Sequence, residues 1–149
     1  MCLQVDLEKH RFHRPKITLF PKKCYKILLL TNKRIETPFT YTVINNNVIK
    51  NGMYVDDNFQ KQPIGYFYPS IYNAIHAFCQ LNDAVHELHN IEPYTYHDQL
   101  YRHHIVETFI PPFTRYWYGV AGDICSERMC FTRKSKKKLL SYLNFISKL

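Results

Sequence analysis

The chain has 149 residues, the usual length of one domain, so we expect a single hydrophobic core. A content of 46% hydrophobic and 15% aromatic residues excludes the composition of a disordered protein. The longest uninterrupted apolar run, from Ile27 to Leu30, is far shorter than the ~18 residues of a membrane-spanning helix.

The net charge of +8 is concentrated at the two ends of the chain. Residues 1–36 carry nine Lys or Arg against three Asp or Glu, and residues 133–149 carry six against none. Residues 37–132 carry five against nine, so the middle of the chain is acidic. This distribution favours an anionic partner that meets the termini, such as nucleic acid, a nucleotide or an acidic protein. Solvated cations that only keep the protein soluble would give the same pattern.

The first six residues, from Met1 to Asp6, have neither the cationic start nor the apolar stretch of a signal peptide. We therefore expect a cytoplasmic protein. The odd number of widely spaced cysteines, with no secretion signal, predicts reduced thiols. These are Cys2, Cys24, Cys79, Cys125 and Cys130.

Residues 1–23 are predicted to form a basic arm, because Arg11, Arg14 and two prolines occur there without sustained periodicity. The run from Cys24 to Leu30 predicts a buried strand that ends at a Thr-Asn turn. Residues 39–44 predict a strand that completes a hairpin. Residues 48–55 predict a third strand, interrupted at Gly52, and residues 64–68 predict a fourth.

A long helix is predicted over about residues 70–90, because Ser70 is a favourable N-cap and apolar residues recur at helical spacing from Ile71 to Leu88. Strands follow at 104–110, 115–120 and 124–132. Three lysines before a run of apolar residues predict a short amphipathic C-terminal helix. The domain organisation is then a basic arm over 1–23, an α+β domain over 24–132 and a basic helix over 133–149.

These elements predict an α+β fold, in which one long helix packs on a mostly antiparallel sheet and a C-terminal helix lies at its edge. No glycine-rich phosphate loop, zinc-protease motif or serine-hydrolase motif occurs in the sequence.

A metal site is one hypothesis for the predicted long helix. His76, Cys79, Asp83 and His86 would lie on one helical face and offer nitrogen, sulfur and oxygen donors to zinc. A single helix rarely supplies four converging ligands, so a semi-polar flank of the core is the alternative. We expect no cofactor, with zinc as the one that this pattern allows.

Aromatic and basic residues predict a ligand site. Flat rings stack on bases while guanidinium groups hold phosphates, although the same residues are ordinary strand formers. The candidate ligand-binding residues are Tyr66, Tyr68, Arg115, Tyr116 and Arg128. The candidate nucleic-acid contacts in the basic ends are Arg11, Arg14, Arg133, Lys134, Lys136, Lys137 and Lys138.

Several short motifs resemble those of small uncharacterised proteins of gut bacteria and their phages. They are Met1-Cys2-Leu3, Lys23-Cys24-Tyr25-Lys26, the Gly65-Tyr66-Phe67 strand leading towards Ala74 and Ala77, and Phe109-Ile110-Pro111-Pro112-Phe113-Thr114-Arg115-Tyr116. Together they span roughly residues 1–132. That group usually has Gly-Phe-His or Gly-Ile-His where Gly65-Tyr66-Phe67 stand here, so no histidine role is transferred. The resemblance implies an accessory phage or mobile-element protein and no catalytic residue.

Residues 65–78 are also similar to the middle of ADP-ribosyltransferase-like domains, in which an aromatic strand runs into an alanine-bearing helix. Glu107 would be the nearest carboxylate for the catalytic position. The first strand carries no matching histidine or arginine.

The sequence leaves three functions open. The first is a non-enzymatic binding protein for a host protein or a small, nucleotide-like anion. The second is nucleic-acid binding through the basic ends and exposed aromatics, and the third is an enzyme on the transferase-like scaffold. We expect no membrane partner.

Overall fold

The computed structural model describes residues 2–38, 42–55, 59, 62–91 and 102–149, and this part of the chain forms three helices and twelve strands. The helices are α1 (Asn46–Asn51), α2 (Leu81–Ile91) and α3 (Arg133–Ile146). The strands are β1 (Cys2–Gln4), β2 (Lys16–Ile17), β3 (Lys22–Leu30), β4 (Ile35–Glu36), β5 (Met53–Tyr54), β6 (Gly65–Phe67), β7 (Ser70–Tyr72), β8 (Ile75–Phe78), β9 (Arg102–Ile110), β10 (Arg115–Tyr118), β11 (Asp123–Ser126) and β12 (Arg128–Phe131). The mostly antiparallel strands confirm the predicted α+β class.

The strands form two sheets, of which the smaller has the order β1-β7-β6. In the larger sheet, only Glu127 separates β11 from β12, yet these two strands have different neighbours. β11 lies between β10 and β8, whereas β12 lies between β9 and β5. β8 pairs with both β3 and β11, and β9 pairs with both β3 and β12. β11 continues into β12 through Glu127, so the path from β3 through β8, β11, β12 and β9 returns to β3. These strands therefore close into a ring, with β2 beside β10 at one edge of the sheet.

The C-terminal helix was predicted and is confirmed as α3. Thr132 caps its first turn, because the Thr132 side chain accepts a hydrogen bond from the backbone N–H of Ser135. Ser135 and Leu139 turn towards the body of the protein and are buried. The Tyr142 hydroxyl donates to the Thr31 carbonyl at 2.6 Å, which fixes the helix beside the end of β3.

The third strand predicted at residues 48–55 is wrong in its first half, which forms α1. The Asn45 side chain accepts from the backbone N–H of Val48, so a helix begins where alternation suggested a strand. Gly52, at φ 96°, ends that helix, and only Met53–Tyr54 is extended. The hairpin strand predicted at 39–44 falls partly outside the described residues, and its described part contributes the bridge between Val43 and Glu36.

The long helix predicted over residues 70–90 is wrong before residue 81. β7 pairs with β1 and β6, and β8 pairs with β11 and β3, so this segment gains sheet partners from distant parts of the chain. Asn73 lies between β7 and β8 at φ 66°, a left-handed conformation that a helix cannot contain. Pairing with distant strands therefore overrides the helical spacing of the apolar residues, and only the last part of the predicted helix forms, as α2.

The predicted arm, residues 1–23, supplies β1 to the small sheet and β2 to the large one. Both strands contact the body rather than extending away from it. None of the three helices in the described part of the chain has the length and apolar character to cross a lipid bilayer.

Three clusters of buried side chains hold these layers together. The largest draws on the strands of the ring and on α1 and α3, with Leu28, Ile110 and Phe131 among its members. On the other side of the large sheet, the small sheet covers Trp117 and Cys125. α2 covers a third cluster there, which includes Phe78.

Lys26 is a charged residue within this packing. It follows Cys24 and precedes Leu28 on the inward-facing side of β3, and only 6% of its surface is exposed. Its Nζ donates to the His76 carbonyl at 2.6 Å. Burial lowers the pKa of Lys26 to about 8. Because a buried ammonium is poorly solvated, this residue costs stability whenever it is charged.

We expect Lys26→Met to stabilise the protein at pH 7. In the wild type, the folded state releases the proton near pH 8 and the unfolded chain near 10.5, so stability rises with pH across that window. A shift of this size corresponds to about 3 kcal/mol, an upper limit since the bond to His76 is lost. Urea unfolding from pH 7 to 10.5 would measure the gain, which should shrink as the pH rises. Lys50→Met, at an exposed site on α1, is the control; a K26M protein less stable than wild type at pH 7 would contradict the argument.

Candidate nucleic-acid interface

Residues 10–14 of the N-terminal segment are fixed against β10 by two long-range hydrogen bonds. The backbone N–H of Tyr118 donates to Nε2 of His10 at 2.8 Å, and Nε1–H of Trp117 donates to the His13 carbonyl at 2.7 Å. His10 also uses its other ring nitrogen, Nδ1, on the Arg14 carbonyl at 2.9 Å. Because one nitrogen accepts and the other donates, the imidazole is neutral, and burial lowers its pKa.

This docking brings rings of the N-terminal segment against rings of the small sheet. Tyr66 lies on β6, and Tyr68 follows it in the turn to β7. The His13 ring lies 5.0 Å from that of Tyr68 and 5.7 Å from that of Tyr66, measured between centroids. Phe12 lies 6.4 Å from Tyr68, and Tyr66 stands edge-on to Trp117 at 6.0 Å. The result is a connected row of aromatic side chains.

Three rings of this row are open to solvent. Phe12 is 63% exposed, Tyr68 53% and Tyr66 45%, and neighbouring Phe67 is also exposed. The backbone of Phe12 has φ 56°, a conformation that costs a bulky residue of the order of 1 kcal/mol. The surrounding contacts therefore hold this ring outward at a cost.

Cations lie on both faces of β10 near this row. Nζ of Lys9 and Nζ of Lys22 lie 4.7 Å and 5.1 Å from the centroid of Tyr118, whose side chain is on the opposite face of β10 from Trp117. On the face of Trp117, Nε of Arg115 is 3.0 Å from Oε2 of Glu127, and the pKa of Arg115 is raised, first by Glu127 and further by Tyr66. We call this surface the arm belt; it comprises Lys9, Arg11, Phe12, His13, Arg14, Lys22, Tyr66, Tyr68, Arg115 and Tyr118.

Most cations of the arm belt have no carboxylate partner. Arg11, Arg14 and Lys22 make no ion pair within the described residues, and Lys9 lies at the limit of one, 3.9 Å from Asp6. Both arginines are exposed. The arm belt therefore carries uncompensated positive charge beside exposed rings.

Of the five predicted ligand-binding residues, three come together in the arm belt: Tyr66, Tyr68 and Arg115. Tyr116 lies behind it, 5.4 Å from Tyr118 between ring centroids, where burial and Tyr118 raise its pKa to about 12. Arg128 lies elsewhere, with its guanidinium 4.7 Å from the ring centroid of Tyr54 on β5. Tyr116 thus supports the site from the core, and Arg128 is not part of it.

The predicted nucleic-acid contacts lie in two places. Arg11 and Arg14 belong to the arm belt, whereas Arg133, Lys134, Lys136, Lys137 and Lys138 lie in the first half of α3. The pKa of His104 is lowered by burial and by nearby Lys138, so this half of α3 lies close to β9. His104 is the register partner of Leu28, six residues along β3 from Lys22. The two basic regions are therefore about 20 Å apart along the strand.

The predicted metal ligands do not share a helical face. His76 lies on β8, Cys79 follows that strand, and Asp83 and His86 lie on α2. Nε2 of His76 is instead 3.0 Å from Oδ2 of Asp123, and burial lowers the pKa of His76 while Asp123 opposes the shift. Within the described ranges, no group of three or more His, Cys, Asp or Glu side chains is placed to hold a metal ion.

Sequence reasoning missed Lys9, Phe12, His13 and Lys22. No spacing links them to Tyr66 or Tyr118, because the contacts join residues about 50 to 110 positions apart. The basic character of the arm was the only signal, and it did not reveal where the arm docks.

Comparisons of the chain with models of protein families, with curated proteins and with solved structures gave no match. The feature that carried the similarity to ADP-ribosyltransferase-like domains is also missing, since β6 is followed by β7 and β8 rather than by a helix. Glu107 lies on β9, 3.4 Å from Nζ of Lys23. Function is therefore argued from the geometry of the arm belt.

We expect His10→Ala to release the N-terminal segment, because the Tyr118 N–H and the Arg14 carbonyl would lose their partner. A loss of about 1–3 kcal/mol would raise the undocked population by about 5- to 100-fold. Limited trypsin cleavage after Lys9 and Arg11 would measure it.

The same assay has a pH dependence. Because the pKa of His10 is lowered in the folded protein, the docked state is lost as the pH falls below about 6.5. Wild type should therefore be cut faster at pH 5.5 than at pH 7.5, relative to a reference peptide, and H10A equally at both. His86→Ala, at an exposed position of α2, should behave as wild type. Slow cleavage of H10A would show that His10 does not hold the segment.

Proposed function

We propose that the protein binds single-stranded nucleic acid and that the arm belt is the binding surface. The observation that carries the proposal is the row of exposed rings brought together by the docked N-terminal segment, with nearby cations of which Arg11, Arg14 and Lys22 make no ion pair within the described residues. Phe12, Tyr66 and Tyr68 would stack on bases. Lys9, Arg11, Arg14 and Lys22 would neutralise phosphates.

The rings favour a single strand over a duplex. The rings of Phe12, Tyr66 and Tyr68 are exposed to solvent, and a base can stack on such a ring only when it has left its own helix. Tyr118 adds a ring with two ammonium groups beside it, which suits a base with its phosphate. A polymer that alternates flat rings and negative charges matches this alternation along the arm belt.

The solvent exposure of the arm belt also argues against a small nucleotide-like ligand. Small ligands are usually held in clefts that bury most of their surface, whereas Phe12 and Tyr68 are more than half exposed. A host protein is the second candidate, since Tyr, Phe and Arg are also common in protein interfaces. Steep salt dependence separates the two, because counterion release is largest with a nucleic-acid polyanion. Origin from a phage or mobile element stays a prediction from the sequence resemblance.

Phe12→Ala and Tyr68→Ala should each weaken binding of a fluorescent single-stranded oligonucleotide by about 5- to 100-fold, since one stacked base contributes about 1–3 kcal/mol. Fluorescence anisotropy at low salt would measure this. Phe145→Ala is a matched control, because Phe145 on α3 is 61% exposed and Phe12 is 63% exposed. If all three variants bind equally well, the rings of the arm belt are not the stacking surface.

The phosphate contacts have a separate signature. Each contact to a single strand contributes about −0.7 to the slope of log affinity against log salt, so Arg11→Gln with Arg14→Gln should make that slope shallower by about 1.4. Lys134→Gln, Lys137→Gln and Lys138→Gln together remove more charge, from exposed positions on α3. We expect this triple variant to weaken the binding of a short oligonucleotide less than the double variant does. The reverse order would place the binding surface on α3, and no binding at low salt would refute the proposed function.

A further inference from the structure

A second surface, separate in composition from the arm belt, lies where β2 runs into β3 and β9 runs into β10. Four large apolar side chains are exposed there: Ile17 at 60%, Leu19 at 69%, Phe20 at 80% and Phe113 at 76%. The segments 17–21 and 110–114 that carry them contain no charged residue. We call these four residues the apolar tip.

Proline creates the apolar tip. Ile17 pairs with Arg115 and Lys22 pairs with Ile110 in one continuous antiparallel register. Between these pairs stand Pro21, Pro111 and Pro112, which have no N–H to donate, so the ladder is interrupted. The chain leaves the sheet on both strands, and the side chains of the interruption point into solvent.

The interruption is nevertheless rigid. Thr18 is buried, and its backbone N–H donates to the Thr114 carbonyl at 3.0 Å. Its hydroxyl donates to the Pro111 carbonyl at 2.6 Å and accepts from the Thr114 N–H at 3.0 Å. The Phe113 N–H donates to the Thr18 carbonyl at 2.6 Å and holds Phe113 at φ 60°. The four apolar side chains thus stand on a fixed platform, as an interface requires.

The edge strand beside the platform has an open side. β2 is the last strand of the large sheet, next to β10. Because the N–H and C=O of Thr18 point towards β10, the alternation of an antiparallel ladder turns those of Ile17 away from it. An apolar edge with unpaired backbone groups is a template for another strand.

We propose that the apolar tip is a two-fold interface with a second copy of this chain. The four residues of the apolar tip carry no charge, although Lys16, Lys22 and Arg115 border them, so the contact depends on burial of apolar surface. Four such side chains offer roughly 500 Å² on each copy, by the areas typical of large apolar side chains. Two copies would bury about 1,000 Å², the lower limit of a specific interface. Antiparallel pairing of two β2 edges about a two-fold axis sets the same residues against one another.

The dimer has a consequence for the arm belt. Ile17 of the apolar tip is the register partner of Arg115, which belongs to the arm belt, so the two surfaces adjoin. The dimer therefore brings two arm belts to neighbouring positions. The interface itself does not depend on what the arm belt binds.

Sedimentation velocity of the nuclease-treated full chain, from about 2 to about 200 µM, tests the proposal in the range expected of a small interface. Wild type should pass from 17.9 kDa to twice that mass. Leu19→Ser with Phe20→Ser should weaken dimerisation at least about tenfold, a change of about 1.4 kcal/mol. Phe145→Ser with Leu149→Ser is the matched control, at 61% and 77% exposure, and should dimerise as wild type does. Phe12→Ala should weaken nucleic-acid binding and still dimerise.

A second pair of variants keeps the test decisive if the double serine variant is poorly folded. Ile17→Lys and Ile17→Glu should each be monomeric alone, and an equimolar mixture should restore the dimer, because residue 17 of one copy faces residue 17 of the other across the two-fold axis and then meets its opposite charge. A wild type that stays monomeric at the highest concentration would overturn the proposal. So would a mixture that stays monomeric, or a control variant that dissociates as readily as L19S/F20S.

Discussion

The docking of residues 10–14 on β10 is the constraint on which the functional surface depends. The small sheet and β10 supply Tyr66, Tyr68 and Tyr118, but Lys9 and Phe12 come from the N-terminal segment. Two hydrogen bonds join residues 10–14 to β10, and each has a backbone group on one side. Because Tyr118 offers only its backbone N–H to His10, the side chain of His10 matters more to this bond than the side chain of Tyr118. An imidazole can accept at one nitrogen and donate at the other only when it is neutral. The stability of this local contact therefore sets the fraction of molecules in which the arm belt exists.

The arm belt lowers the stability of the folded protein, and the buried apolar core compensates for this. A phenylalanine at positive φ and the mutual repulsion of clustered cations are unfavourable for folding, and they occur on one surface beside three exposed rings. α3 shows the same conflict, because its basic first half lies at the positive end of the helix dipole. Trp117, fully buried directly beneath Tyr66, anchors the arm belt to the packed interior. The ligand proposed for the arm belt would relieve these costs when it binds.

The sequence predicted the parts of the fold that local physics decides. Cys24 to Leu30 could be recognised because a strand rich in large apolar residues needs burial on both sides, and α3 because apolar residues follow three lysines in an amphipathic pattern. Residues 70–80 could not, since the apolar residues from Ile71 to Phe78 fit the helical period and only pairing with distant strands makes them extended. For the same reason Tyr66, Tyr68 and Arg115 could be proposed as a site by residue type. The docking position of the arm depends on contacts across about a hundred residues, which no local pattern encodes.

One register links both proposed surfaces. The pairing of Ile17 with Arg115 and of Lys22 with Ile110 belongs to a single alignment of two long segments, 16–30 and 102–116. The prolines interrupt this register, so the side chains of the apolar tip are exposed to solvent. Pairing resumes beyond the prolines and places β10 where the N-terminal segment contacts Trp117 and Tyr118. A shift of this register by one residue would turn Trp117 from the buried cluster to the opposite face. The apolar tip and the arm belt would then be lost together, so the two surfaces are consequences of the same strand alignment rather than independent additions to the fold.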